Sequence, residues 1–99
     1  MAIRGYKDKG TGDIAAEIHS KQARRKLPVT LLEAAYRKLV FLDNAQTLQD
    51  LTDWRSLHLE RLKGDRKDQY SIRINEQYRI CFRWTGRDAV DVQIVDYHH

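Results

Sequence analysis

The sequence predicts an α+β fold, a small antiparallel or mixed sheet of four to five strands with two to three helices packed on one face. Three observations carry that prediction. From Tyr70 to Ile94 apolar and polar residues alternate on either side of two turns, the period of half-buried strands. From Leu31 to Leu42 the apolar residues recur instead at Leu31, Ala35, Leu39 and Leu42, the spacing of one helix face. Ninety-nine residues supply one modest core, so both kinds of element are expected to share it within a single domain, 1–99. There is no internal repeat, low-complexity tract or linker.

Taken in order, Ala2 to Lys7 sets Ile3 and Tyr6 among basic residues and is expected to add a short strand to the sheet. Lys9-Gly10-Thr11-Gly12 reads as a turn, after which Asp13 caps a short helix from Ile14 to about His19. The basic run Lys21–Lys26 has the charge to hold phosphate or a protein partner, although such clusters beside a loop usually form a solvated face. Pro28 breaks the chain, and Thr30-Leu31-Leu32-Glu33 has the form of a capping box opening the main helix. Asn44-Ala45 ends that helix, and Thr47 caps a shorter one carrying Leu48 and Leu51 to near Trp54.

Leu57 to Leu62 reads as a strand with His58 and Glu60 on one face, leading into the charged turn Lys63-Gly64-Asp65-Arg66. Tyr70–Asn75 is the next strand, and Asn75-Glu76-Gln77 reverses the chain. In the strand from Tyr78 to Trp84, Tyr78, Ile80, Phe82 and Trp84 share one face; Arg79, Cys81 and Arg83 share the other, which is expected to be cationic. Beyond the Thr85–Asp88 turn, Val90, Val92 and Ile94 carry the apolar face on to Asp96-Tyr97-His98. The parity of Tyr70, Tyr78 and Phe82 matches the isoleucines, so these rings, with the two tryptophans, are read as core or rim.

Composition narrows the function classes. A formal charge of +4 and a hydrophobic fraction of 41%, with a pI near 9.4 and a mean hydropathy of −0.70, describe a small wet globule suited to a polyanionic or acidic partner, or simply to a solvated basic surface. The single cysteine, Cys81, excludes an internal disulfide and suits a reducing cytoplasm; its strand position reads as packing. The start of the chain has no signal-peptide apolar region and no stretch approaches the roughly 20 apolar residues of a membrane span, so a cytoplasmic location is expected. Four histidines and one cysteine show no metal-ligand spacing, and neither a metal nor a cofactor is expected. His19 and His99 read as inert.

The polar face suggests a chemistry. Arg73 and Arg79 lie on neighbouring strands and can converge on one phosphate, where a guanidinium fork matches two oxygens; Lys63 adds a point charge. His98 titrates near neutrality, Tyr97 offers a phenol to orient a hydroxyl or stack a base, and Asp96 can set the His98 tautomer or pair with Arg79. These are the groups that metal-free RNA cleavage needs. Strict alternation, however, puts Asp96 and His98 on the core face, so a bulge or strand end after Ile94 is expected.

In order and spacing, Leu62-Lys63-Gly64-Asp65-Arg66, Tyr70-Ser71-Ile72-Arg73-Ile74, Tyr78-Arg79-Ile80 and the closing Asp96-Tyr97-His98 resemble the HigB-type toxins of the RelE/ParE superfamily of bacterial toxin–antitoxin systems. The resemblance implies a RelE/ParE-like fold and a ribosome-dependent endonuclease that cuts mRNA in the decoding site. It also implies a cognate HigA-like helix-turn-helix antitoxin, through which alone the chain would reach DNA. It carries catalytic roles onto Asp96, Tyr97, His98, Arg79 and Lys63. Arg61, Arg66, Lys67, Arg73 and His58 are expected to hold the RNA. Where some members place a catalytic histidine three residues before the lysine, this chain has Glu60, with His58 two positions earlier. Three readings stay open: Glu60 fills the role, His58 reaches in from the same face, or His98 acts alone. Two other functions compete, a ParE-like inhibitor of DNA gyrase lacking the catalytic set, and an inactive module that binds RNA or antitoxin.

Overall fold

The computed structural model describes residues 1–97. Its helices are α1 (Lys9–Ala15), α2 (Lys21–Lys26), α3 (Leu32–Asn44) and α4 (Leu48–Asp53). Its strands are β1 (Glu60–Arg61), β2 (Tyr70–Arg73), β3 (Tyr78–Trp84) and β4 (Ala89–Asp96), and short 3-10 turns occupy Val29–Leu31, Arg55–Leu57 and Gly64–Arg66. The strands form one antiparallel sheet in the order β1-β2-β3-β4. The expected opening strand is present as two isolated parallel bridges along β4, Ile3 with Ala89 and Tyr6 with Val92, which makes that edge mixed. Past Tyr6 the chain turns into α1, and the buried Thr11 hydroxyl continues the edge by accepting from the Ile94 amide at 3.0 Å.

One sheet face, carrying Ile72, Ile80, Phe82, Val92 and Ile94, packs against α1 to α4 through Ile14, Ala23, Leu39, Leu42 and Leu51. Each large side chain so buried contributes roughly 1.5–3 kcal/mol. Helix α3 buries Ala35, Leu39 and Leu42, the stripe the sequence predicts. Trp54 lies at the rim, 49% exposed, with its ring centroid 4.4 Å from that of Phe41.

Four local expectations are corrected. Helix α1 starts at Lys9 rather than Ile14, because Asp8 caps it by accepting from the Thr11 amide at 2.7 Å. Its glycines are helical, and Gly10 is there for closeness, since a Cβ would sit 2.6 Å from the Gln22 carbonyl oxygen of α2. The basic run, by contrast, is the solvated face expected of it: Lys21, Arg24 and Arg25 are exposed on helix α2, which is capped by Ser20 and anchored through buried Ala23. The box expected at Thr30 does not form: Thr30 lies inside a 3-10 turn that runs straight into α3, and Glu33 pairs with Arg37 at 2.8 Å. Thr47 and Asp50 do form one. The strand expected over 57–62 shrinks to Glu60–Arg61, because Leu57 ends a 3-10 turn and His58 is left-handed at φ 46°.

The fourth correction concerns β4. Ile80 pairs with Ile94 and Cys81 with Gln93, but Arg83 pairs with Val90, so β4 carries one extra residue. Asp91 sits in that bulge at φ 53°. It switches parity, so that Ala89 and Val92 are buried while Val90 is only half-buried. No bulge follows Ile94. Pairing runs on through Arg79 with Val95 and Tyr78 with Asp96.

Candidate active site

The sheet face opposite the helices was expected to be an open cationic surface, and much of it is instead covered. Ser71 and Cys81 are fully buried and Arg79 is 5% exposed. The segment after β1 folds back over this face: Arg66 Nη1 donates to Gln69 Oε1 at 3.2 Å and to Gln93 Oε1 of β4 at 3.4 Å. Burial pushes the Cys81 thiol above its ordinary range, against the opposing pull of Arg66 and Arg79. That is the setting of an inert packing thiol, not a nucleophile.

Arg79 lies directly across from Arg73 in the β2–β3 register. Two like charges so placed repel unless other groups hold them, and here both are held. Arg79 Nε donates to Ser71 Oγ at 2.6 Å, and Nη2 donates to the Ser71 carbonyl at 3.3 Å and to the His58 carbonyl. Nη1 remains, 4.0 Å from Glu60 Oε1. No buried side-chain nitrogen or oxygen among the described residues is left without a partner, so Nη1 reaches solvent. Arg73 Nη2 stands 3.8 Å from Glu76 Oε1.

These groups line one cavity of about 270 Å³: His58, Glu60, Arg73, Glu76 and Arg79. The local causes are visible. Pairing of Glu60 with Ser71 puts the carboxylate on the Arg79 face. The left-handed turn at His58, its carbonyl tied down by Arg79, brings that residue to the same cavity. Glu76 is a lining residue that sequence reading passed over as part of a turn; its spacing three residues from Arg73 was the available signal. The cavity thus offers two carboxylates for proton transfer, with His58 at its wall, beside two guanidiniums for an anion.

The other sequence-predicted residues stand elsewhere. Arg61 pairs with Tyr70 on the other face and is exposed. Lys63 and Lys67 are exposed along the fold-back segment, and Arg66 is engaged with Gln69 and Gln93. Asp96 pairs with Tyr78, hence on the face opposite Arg79, and its carboxylate accepts from Gln77 Nε2 at 3.2 Å. Tyr97 is half-buried and its amide donates to the Gln77 carbonyl at 2.7 Å. His98 and His99 lie outside the described residues. Among the described residues no group of three or more His, Cys, Asp or Glu is placed to hold a metal, and no helix is long and apolar enough to cross a membrane.

A larger cavity, about 410 Å³, opens between the end of α1 and the start of α3. It is lined mainly by apolar side chains, and its Glu33 and Arg37 are paired with each other.

Comparison with known proteins places the chain in a family. A family model described as the RelE-like toxin of type II toxin-antitoxin system HigB matches residues 11–98. Toxin HigB-1 of Vibrio cholerae is 37% identical over 70 residues, 71% of this chain and 74% of that protein. An uncharacterised protein of Haemophilus influenzae is 32% identical over 64 residues, 65% of this chain and 63% of that protein. The matched span takes in every element from α1 to β4 apart from the first two residues of α1, and with them the whole Arg79 cavity. With the α+β architecture and a match over most of its length, the chain belongs to the HigB-like family, the RelE-like toxins of type II toxin–antitoxin systems, and as a member it has an antitoxin for a partner.

Proposed function

We propose that this toxin is a ribosome-dependent mRNA endonuclease of the cytoplasm, inhibiting translation by metal-free cleavage. The observation that supports the reading is the gathering of His58, Glu60, Arg73 and Arg79 on one cavity. In the reaction a ribose 2'-hydroxyl loses its proton to a base and its oxygen attacks the adjacent phosphorus. The P–O5' bond breaks, and the 5' oxygen leaves with a proton from an acid. The products are a 2',3'-cyclic phosphate and a 5'-hydroxyl. DNA lacks the attacking group.

Within that scheme Glu60 and His58 are the proton carriers the cavity supplies, Arg73 meets the phosphate from the exposed side, and Arg79 Nη1 faces the charge that develops on it. Lys63, Arg61, Arg66 and Lys67 bind the RNA strand beyond the cavity, and Tyr97 and His98 complete the catalytic set, while Asp96, held by Gln77 on the face opposite Arg79, steadies the end of β4 from which they follow. The partner that restrains the toxin is a HigA-like helix-turn-helix antitoxin, which alone carries the pair to DNA. Gyrase inhibition has no feature in its favour here, since an acid–base cavity serves no purpose in it.

The test is a reconstituted translation reaction with a reporter mRNA. The wild-type chain cleaves the message on ribosomes and leaves it intact without them, whereas R79K and His98→Ala each slow cleavage on the order of 10²–10³-fold. Intact message on ribosomes, or full-speed cleavage by both variants, would overturn the reading.

A further inference from the structure

We infer that Ser71, a residue outside every assignment above, is a positioning residue for Arg79, and that it decides which edge of the guanidinium faces the RNA. The inference rests on the endonuclease reading. A guanidinium has two edges able to grip an anion with parallel N–H bonds, and the edge formed by Nε and Nη2 is taken by one residue: Nε donates to Ser71 Oγ at 2.6 Å and Nη2 to the Ser71 carbonyl at 3.3 Å. The remaining Nη2 hydrogen goes to His58 O. A phosphate entering the cavity therefore meets Nη1 alone, not the two-pronged fork the sequence suggests.

Nη1 has two hydrogens and stands 4.0 Å from Glu60 Oε1, so it is able to serve Glu60 and a phosphate oxygen together. That geometry links the anion to the candidate base through one rigid nitrogen. It depends on the plane of the guanidinium, and the plane depends on Ser71. Ser71 is fully buried on the middle of β2, paired with Glu60 on one side and Cys81 on the other, so its hydroxyl has a fixed place. Without that hydroxyl Nε loses its acceptor and the group turns toward other partners. The arrangement is made before substrate arrives, which is the condition for electrostatic stabilisation without reorganisation.

The experiment compares cleavage of ribosome-bound reporter mRNA by the wild type, S71A, S71C, R79K and S71A/R79K, with thermal unfolding of each followed in parallel. S71A is expected to lower kcat about ten- to hundredfold, the scale of a misplaced reacting group, with KM changed less than about twofold. S71C, close in size and a weaker acceptor, falls between it and the wild type. Because Ser71 acts through Arg79 Nε, which lysine lacks, S71A/R79K is no slower than R79K. Wild-type kcat in S71A, or a loss in S71A/R79K beyond that of R79K, would overturn the positioning role. If S71A is unfolded at the assay temperature, S71C decides alone: reduced kcat with retained KM supports the role, wild-type kcat removes it. A wild-type chain that leaves ribosome-bound mRNA intact removes the endonuclease reading itself, whereas cleavage unaffected by S71A leaves that reading standing and removes only this one.

Discussion

Arg79 commits three of its five N–H donors to Ser71 and His58, so a side chain that looks in the sequence like a free anion receptor is half spent on holding its own surroundings. Substitution there changes two things at once, the cavity and the left-handed turn at His58. Glu60 and His58 are the cleaner probes, being engaged more lightly. Glu60→Gln and His58→Gln made separately are expected to differ: the variant that removes the general base lowers kcat on the order of 10²–10⁴-fold, and the other changes it far less. Single-turnover cleavage on ribosomes distinguishes them, and equal rates for both variants and the wild type would remove both from the chemistry. Cys81 gives a prediction independent of function. Its buried thiol, pushed above its ordinary range, is expected to resist a disulfide reagent at pH 8 in the folded protein and to react at once in denaturant. Rapid native labelling would contradict its burial.

Among the elements, two threonines with similar local signatures have different fates, and the difference is measurable. Thr47 accepts from the Asp50 amide and Asp50 reaches back to the Thr47 amide, whereas Thr30 caps nothing. Thr47→Ala is expected to cost about 1 kcal/mol and Thr30→Ala to stay within about 0.5 kcal/mol of the wild type, as read by urea unfolding. The sequence could not separate them, because a box needs a helix that begins just after it, and the 3-10 turn over Val29–Leu31 advances the start. Gly10 was misread for a related reason. As a helical glycine it is locally unfavourable, and what selects it is the Gln22 carbonyl of α2, which no window around residue 10 contains. Gly10→Ala should therefore lower stability by roughly 1–3 kcal/mol despite the better helix propensity of alanine. A more stable variant would show that α1 and α2 are less closely packed than described.

At the scale of the whole molecule, stability is expected to depend on acid through two carboxylates that fasten helices. The Asp13 carboxyl is held below its ordinary range first by the hydrogen bond from Lys9 and then by that from Ser20, and Asp50 by the amides of Gln46 and Thr47. A depressed folded-state value means that the unfolded chain binds protons first as pH falls. Their contribution is therefore complete above the unfolded carboxylate value of about 4 and is lost as pH drops through the lower folded values. The thermal midpoint of the wild type should hold from neutrality to about pH 5 and fall below about pH 4, while D13N/D50N starts lower at pH 7 and converges with it in acid. Parallel curves for the two proteins would show that these carboxylates are not the groups responsible. By itself the sequence determined the α+β class, the apolar stripe of α3 and the shared face of Arg73 and Arg79, because all of these follow from periods of two and 3.6 residues along the chain. Only the tertiary structure decided that Arg79 is buried and clamped, that Glu76 joins His58 and Glu60 at its edge, and that the extra residue of β4 falls at Asp91. Those outcomes depend on carbonyls and side chains brought together from distant parts of the chain, and periodicity carries no information about them.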